Sequence, residues 1–237
     1  MSDSQLIENR FSEDSMLRVL DSSNSIDLGL NYQALPFLSI TYCFFSIITC
    51  FIIYLIQGRF AGYLPTVSET GTEYPNTQIF AHANATTSIA TGLSLILLMI
   101  FIRLTQSTNG AQIFWMRLLA FFNFIGILGV GVSPLNEVQY QHYFFALLGF
   151  ISIVIFEVLS FLVINDSSYS TKVFRGTLLS IGFFALITFL FADYFCKDRY
   201  MVTLSTLGEY FLFFSIQTYL FSFRSELKTI KITLFLE

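Results

Sequence analysis

Two histidines and a few carboxylates stand out because long apolar sequence surrounds them. His82, His142 and Glu209 each lie close to the start of an apolar run, and Asp193 closes another. Asn84 adds an amide at the same depth as His82. Polar groups at membrane depth are expensive in lipid and usually face a cavity or the interior of a bundle. Together these five could line a recess that holds a lipid headgroup, a metal or a proton. Singly, each could be a helix cap, a hydrated side chain or an interhelical hydrogen bond. Glu209 fits the second reading least well. It sits about two turns inside its run, so it needs a partner, and His82 or His142 is the best candidate. Glu157 is another intramembrane carboxylate, roughly 10 Å from the end of its run. It is either protonated in place or reaches toward Arg103, Lys172 or Arg175.

Other chemistry is not signalled. The His and carboxylate spacing lacks the tight i, i+4 character of a zinc site, so no metal is expected. No His-Glu-x-x-His, Gly-x-Ser-x-Gly or EF-hand pattern occurs. Gly126, Gly129 and Gly131 sit inside an apolar run with no Lys-Ser/Thr after them, so close helix packing explains them better than a nucleotide loop. The expectation is a protein that is not an enzyme, with no catalytic residues, no cofactor and no nucleic-acid partner.

The elements that position these residues are six apolar runs: 35–56, 79–102, 113–132, 143–164, 173–192 and 201–223. Each matches the roughly 20 residues that a helix needs to cross a bilayer. They are too long for barrel strands. Only 12% of the 237 residues are charged and 29 are Phe, far from the polar surface that a soluble domain needs. The expected fold is all-α: a polytopic membrane protein with a bundle of six transmembrane helices over residues 35–223. Residues 1–34, acidic and rich in Ser and Asn, are expected to form a disordered cytoplasmic tail. Residues 224–237 form a short basic one. The acidic N-terminal segment also argues against a cleavable signal peptide. Placing both termini in the cytoplasm puts nine of the 12 Lys and Arg on that side, as the positive-inside rule requires. The first loop, 62–80, and the polar recess then face the lumen or the outside.

That loop carries a resemblance. Leu64-Pro65-Thr66-Val67-Ser68-Glu69-Thr70-Gly71, with Pro75 and Ile79-Phe80, resembles the luminal loop of the Frag1/DRAM/Sfk1 family. Phe122-Asn123 through Gly131, then Asn136-Glu137-Val138-Gln139, is similar to the family's third helix and the element after it. His142 stands where the family has a His. Leu207-Gly208-Glu209-Tyr210 resembles the opening of its sixth helix, with Tyr210 in place of the usual Trp. Within the family the chain looks most like the damage-regulated autophagy modulators. The resemblance implies a multipass protein of lysosomal or endosomal membranes that modulates autophagy, with membrane lipids as partners. Other branches imply acyl transfer in Golgi remodelling of GPI anchors, or a plasma-membrane scaffold for phosphoinositide metabolism. It carries over no catalytic residue. The working expectation is a lipid bound in the luminal leaflet, its headgroup on Glu209, His142 and His82, beneath a loop holding Pro65, Ser68, Thr70, Gly71 and Pro75. Asp3-Ser4-Gln5-Leu6-Ile7 looks like an acidic dileucine signal for a trafficking adaptor, through Asp3, Leu6 and Ile7.

Overall fold

The computed structural model describes residues 25–27, 32–164, 168–195, 199–228, 230 and 233–235. In chain order its elements are β1 (Ser25–Asp27), α1 (Ala34–Ile56), α2 (Val67–Thr70), α3 (Asn76–Thr105), α4 (Gly110–Val132), α5 (Gln139–Val163), α6 (Tyr169–Phe195), α7 (Arg199–Phe221), α8 (Arg224–Lys228) and β2 (Thr233–Phe235). The helices form one unit, Tyr32–Lys228. In a separate unit β1 and β2 pair antiparallel, with Ser25 opposite Phe235. The sorting residues Asp3, Leu6 and Ile7 lie outside the described residues.

The helical unit is built inside out. On α1 the buried face carries Ser39, Cys43, Ser46 and Cys50, spaced by three and four residues. Phe45, Ile48 and Ile52 on the opposite side are at least half exposed. Water would drive such a face into a core, whereas hydrocarbon leaves it in place. Among the described residues five helices are long and apolar enough to cross a membrane: α1, α3, α4, α5 and the Tyr169–Phe191 part of α6. The chain is therefore a helical multipass membrane protein. α7 matches α1 in length at 23 residues but carries more polar side chains, including Thr206, Glu209 and Gln217, all buried.

Neighbours in sequence pack as neighbours in space: α1 on α3, α3 on α4, α4 on α5, and α6 on α7. α7 also touches α1 and α5. Most of the long helices start before the expected runs because their first turns are polar. Asn109 and Gln112 form a reciprocal capping box that starts α4 three residues before the run at Ile113. Gly58, at φ +70°, gives α1 the left-handed turn that ends it.

Two kinds of contact hold helices together where no hydrophobic effect separates helix from lipid. The first is backbone on backbone. A Cβ on Gly126 would fall on the Gly149 backbone, and one on Gly129 would fall on the Phe145 ring, so α4 and α5 lie in direct contact. The second is buried hydrogen bonding. Ser39 Oγ lies 2.7 Å from Thr91 Oγ1 and donates to Gln217 Oε1 at 2.7 Å, tying α1, α3 and α7. Asn123 Nδ2 donates to the Gly149 carbonyl at 3.2 Å.

Replacing Gly126 by Leu should cost about 1–3 kcal/mol or more through overpacking. A clear drop in Tm of the detergent-purified protein would show it. Gly110→Ala, at a site with open space around it, should leave Tm unchanged.

Candidate functional site

The first loop is an ordered cap. Its centre is α2, a single helical turn that opens with a capping box: Glu69 N–H donates to Thr66 Oγ1 at 3.0 Å, and Thr66 N–H donates to Glu69 Oε2 at 2.8 Å. The other Glu69 oxygen accepts from Tyr63 Oη at 3.3 Å. The Glu69 charge, followed by partial burial, holds the Tyr63 phenol above its ordinary pKa. Asn76 Nδ2 donates to the carbonyls of Thr70 (2.7 Å) and Cys50 (2.9 Å), which locks the loop to α1. Gly71 is needed because a Cβ there would lie 2.6 Å from the Phe80 ring. At the loop's outer edge Arg59 pairs with Glu73 at 3.1 Å and lies over the Tyr54 ring. Tyr210 Oη donates to the Pro65 carbonyl at 3.3 Å, which brings in α7.

Beneath this cap three side chains meet. Glu209 Oε2 accepts from the Val67 N–H at 2.8 Å, and Oε1 accepts from Ser68 Oγ at 3.2 Å. Ser68 Oγ also lies 2.9 Å from His142 Nε2. His142 Nδ1 lies 2.6 Å from the Ser133 carbonyl. A carbonyl only accepts, so Nδ1 carries the hydrogen and Nε2 faces the serine. Ser68 has one hydroxyl proton and two acceptors around it. Making both contacts hydrogen bonds takes one further proton, on the Glu209 carboxyl or on Nε2. The two arrangements differ only in where protons sit along the line Glu209–Ser68–His142. Glu209 and His142 are both buried, and Ser68 is part-exposed.

Below the three runs a cleft between α4, α5 and α7. It is narrow: only about 30 Å³ of it admits the centre of a water molecule. Ser68 and Glu209 line one part, Asn84, Asn123 and Gln217 add polar groups, and Phe145, Phe150 and Phe213 supply apolar wall. Asn123 Oδ1 is buried and, among the described residues, has no hydrogen-bond partner.

The fold brings together Glu209, His142 and Ser68, and sets Pro65, Thr70 and Gly71 as the frame that presents Ser68. Pro75 leads into α3. Asn84 lines the same cleft, although its amide donates to its own helix at the Phe80 carbonyl (2.9 Å). His82 is exposed and makes no contact with Glu209. Asp193 belongs to α6, but its side chain lies outside the described residues. Glu157 is far along α5, buried, with Oε1 unpartnered among the described residues. Its backbone carbonyl accepts from Tyr219 Oη at 2.9 Å. Arg175 is held elsewhere, by Glu226 at 2.6 Å and by Ser222, with its guanidinium 3.8 Å from the Phe223 ring. Two contributors went unread in the sequence. Gln217 follows Glu209 by eight residues on the same face of α7, a spacing that could have pointed to it. The Ser133 carbonyl leaves no sequence signal at all.

Apolar helices of membrane-crossing length, with a loop cap locked onto a buried carboxylate, define a multipass helical protein with a candidate site in its bundle. The chain belongs to the family described as the Frag1/DRAM/Sfk1/Cwh43P N-terminal domain, which matches residues 31–230. No curated protein and no solved structure matches it. The residues that carry the family resemblance (Pro65, Ser68, Thr70, Gly71, His142 and Glu209) are the ones that the fold assembles.

Replacing Glu209 by Ala strips the acceptor from Val67 N–H and Ser68. Losing such a buried partner costs about 1–3 kcal/mol. Amide hydrogen exchange over residues 66–71 should therefore speed up about 5- to 150-fold. Glu209→Gln, whose amide can both accept from Val67 and donate to Ser68, should keep the protection. Equal exchange in wild type and the Ala variant would show that the carboxylate does not hold the loop.

Proposed function

We propose that this protein spans the membrane six times, with α7 as the sixth span and both termini in the cytoplasm, and that it binds a membrane lipid in the luminal leaflet. It modulates autophagy at endolysosomal membranes without catalysing a reaction. The single observation behind lipid binding is the cleft under the loop: polar at Ser68 and Glu209, apolar along α5 and α7. That division suits a headgroup at the loop and an acyl chain beside Phe145 and Phe213, whose rotation would widen the narrow interior. The distribution of Lys and Arg supports the orientation. The family resemblance supports the endolysosomal setting.

A second reading, acyl transfer to a lipid, is favoured by one specific contact. Ser68 Oγ lies 2.9 Å from His142 Nε2, and the far side of that ring is oriented by the Ser133 carbonyl, a nucleophile–base–orienter arrangement. Against it, the Glu209 carboxylate already occupies the Val67 N–H that would otherwise steady an oxyanion. Lipid binding is the better supported of the two.

A clickable, photoreactive phospholipid reconstituted with the full chain should label peptides of α5 and α7 around Phe145 and Phe213. Glu209→Gln, which keeps the loop in place, should lower that labelling several-fold. Undiminished labelling would remove Glu209 from the headgroup site. An acyl adduct on Ser68, seen by intact mass and lost in Ser68→Ala, would replace this reading with acyl transfer. In cells, a tagged chain should reach lysosomes and fail to do so when Leu6 and Ile7 become Ala. A Golgi position indifferent to that change would favour GPI-anchor remodelling.

A further inference from the structure

A second concavity lies on the outside of the bundle, between α3 and α4, apart from the luminal cleft. It offers about 460 Å³ to the centre of a water molecule, against about 30 Å³ in the luminal cleft. Its walls are Leu93 and Ile96 of α3 and Phe121 and Phe124 of α4, and its one charged residue is Arg117. Gly92 keeps it open, since a Cβ there would press on Phe124 at 3.3 Å.

Arg117 calls for explanation. It sits seven residues into α4, roughly 10 Å from the helix start, and it is exposed. Across the groove is Met99, six residues before the end of α3. Both positions place the guanidinium below the α3–α4 link, within hydrocarbon depth. Residues 76–132, which make both walls and the link, contain no Asp or Glu and two cations, Arg103 and Arg117. Of the carboxylates on α8, which packs against α3, Glu226 is engaged by Arg175. Among the described residues Arg117 has neither an ion-pair nor a hydrogen-bond partner. A long side chain can rise toward the interface, which lowers its cost in lipid, but a bare snorkelling arginine does not need a groove beneath it.

We propose that the α3–α4 groove is a binding site for an anionic glycerophospholipid of the leaflet nearest the α3–α4 link. The phosphate is held by Arg117, and one acyl chain lies along Ile96, Leu93 and Phe121 toward Phe124. From Arg117 to Phe124 the groove runs about 10 Å along α4, much of the ~15 Å of hydrocarbon in one leaflet. Guanidinium suits phosphate because its planar fork can donate two bonds at once.

The chain's single Trp, Trp115, lies on the face of α4 away from Arg117 and Phe121, so the test uses a Trp115→Phe, Ile89→Trp chain whose one indole stands in the groove. Its fluorescence in detergent micelles can therefore report binding of phospholipids brominated on the acyl chain. Brominated phosphatidylserine should quench it saturably, at about fivefold or more lower concentration than brominated phosphatidylcholine. Arg117→Gln, which removes no packed contact, should erase that preference, and Arg103→Gln should keep it. Gly92→Leu should abolish saturable quenching by both lipids while leaving the charge in place. Equal quenching by the two lipids in the Trp115→Phe, Ile89→Trp chain, or a preference surviving Arg117→Gln, would overturn the site. Competition by a free fatty acid as strong as by phosphatidylserine would overturn the phospholipid as its occupant.

Discussion

A carboxylate nearly three turns inside α7 and almost fully buried must have its oxygens met by donors inside the bundle. In this protein the Val67 N–H and the Ser68 hydroxyl do so, and much of this end of the bundle follows from that requirement. To offer them the loop must form a helical turn at the right height, which the Thr66–Glu69 capping box starts. The turn must be fixed to α1 and α3, which Asn76 does through the Thr70 and Cys50 carbonyls. Through Ser68 the same carboxylate reaches His142, and through His142 the Ser133 carbonyl at the end of α4. One buried acid thus organises the loop and the adjoining ends of α4, α5 and α7.

The opposite end solves a similar problem with a cation. Arg175 is almost fully buried, and its guanidinium is met by Glu226, by the Ser222 hydroxyl and carbonyl, and by the face of Phe223. A buried ion pair needs its remaining hydrogen-bonding capacity met, and the turn from α7 into α8 supplies acceptors for Nε and Nη2, while Nη1 is buried without a hydrogen-bond partner among the described residues. Between the two ends, Ser39, Thr91 and Gln217 satisfy one another at the middle of the bundle.

The helical fold was legible because bilayer thickness sets a length that few other folds imitate. Glu209 and His142 were legible as misfits in apolar sequence. What joins them was not. The Ser68–Glu209 contact spans 141 residues, and the donor at Val67 is a backbone N–H that any residue but proline could offer. His82 shows where a finer reading was possible. On α3 the buried positions Phe80, Ala83, Asn84 and Thr87 follow helical spacing, and His82 falls outside that face. Asn123 and Gln217 were harder, because an isolated amide in an apolar run carries no sign of the side it faces.

The contact of Gly126 with Gly149 also has a mechanical side. Backbones that touch leave no side chain to compress between them, so α4 and α5 behave as a single stiff plate, with α3 and α1 stacked on its far side. α6 and α7 form a second, tightly joined pair, and α5 meets that pair only sparsely. The Glu209–Ser68–His142 line crosses the seam, because its acid rides on one plate while its serine and imidazole ride on the other. It therefore acts as a clasp at the rim of that seam, and unfastening it loosens the thinly bound edge there while the Ser39–Gln217 bond still holds α7 to α1 on the other side.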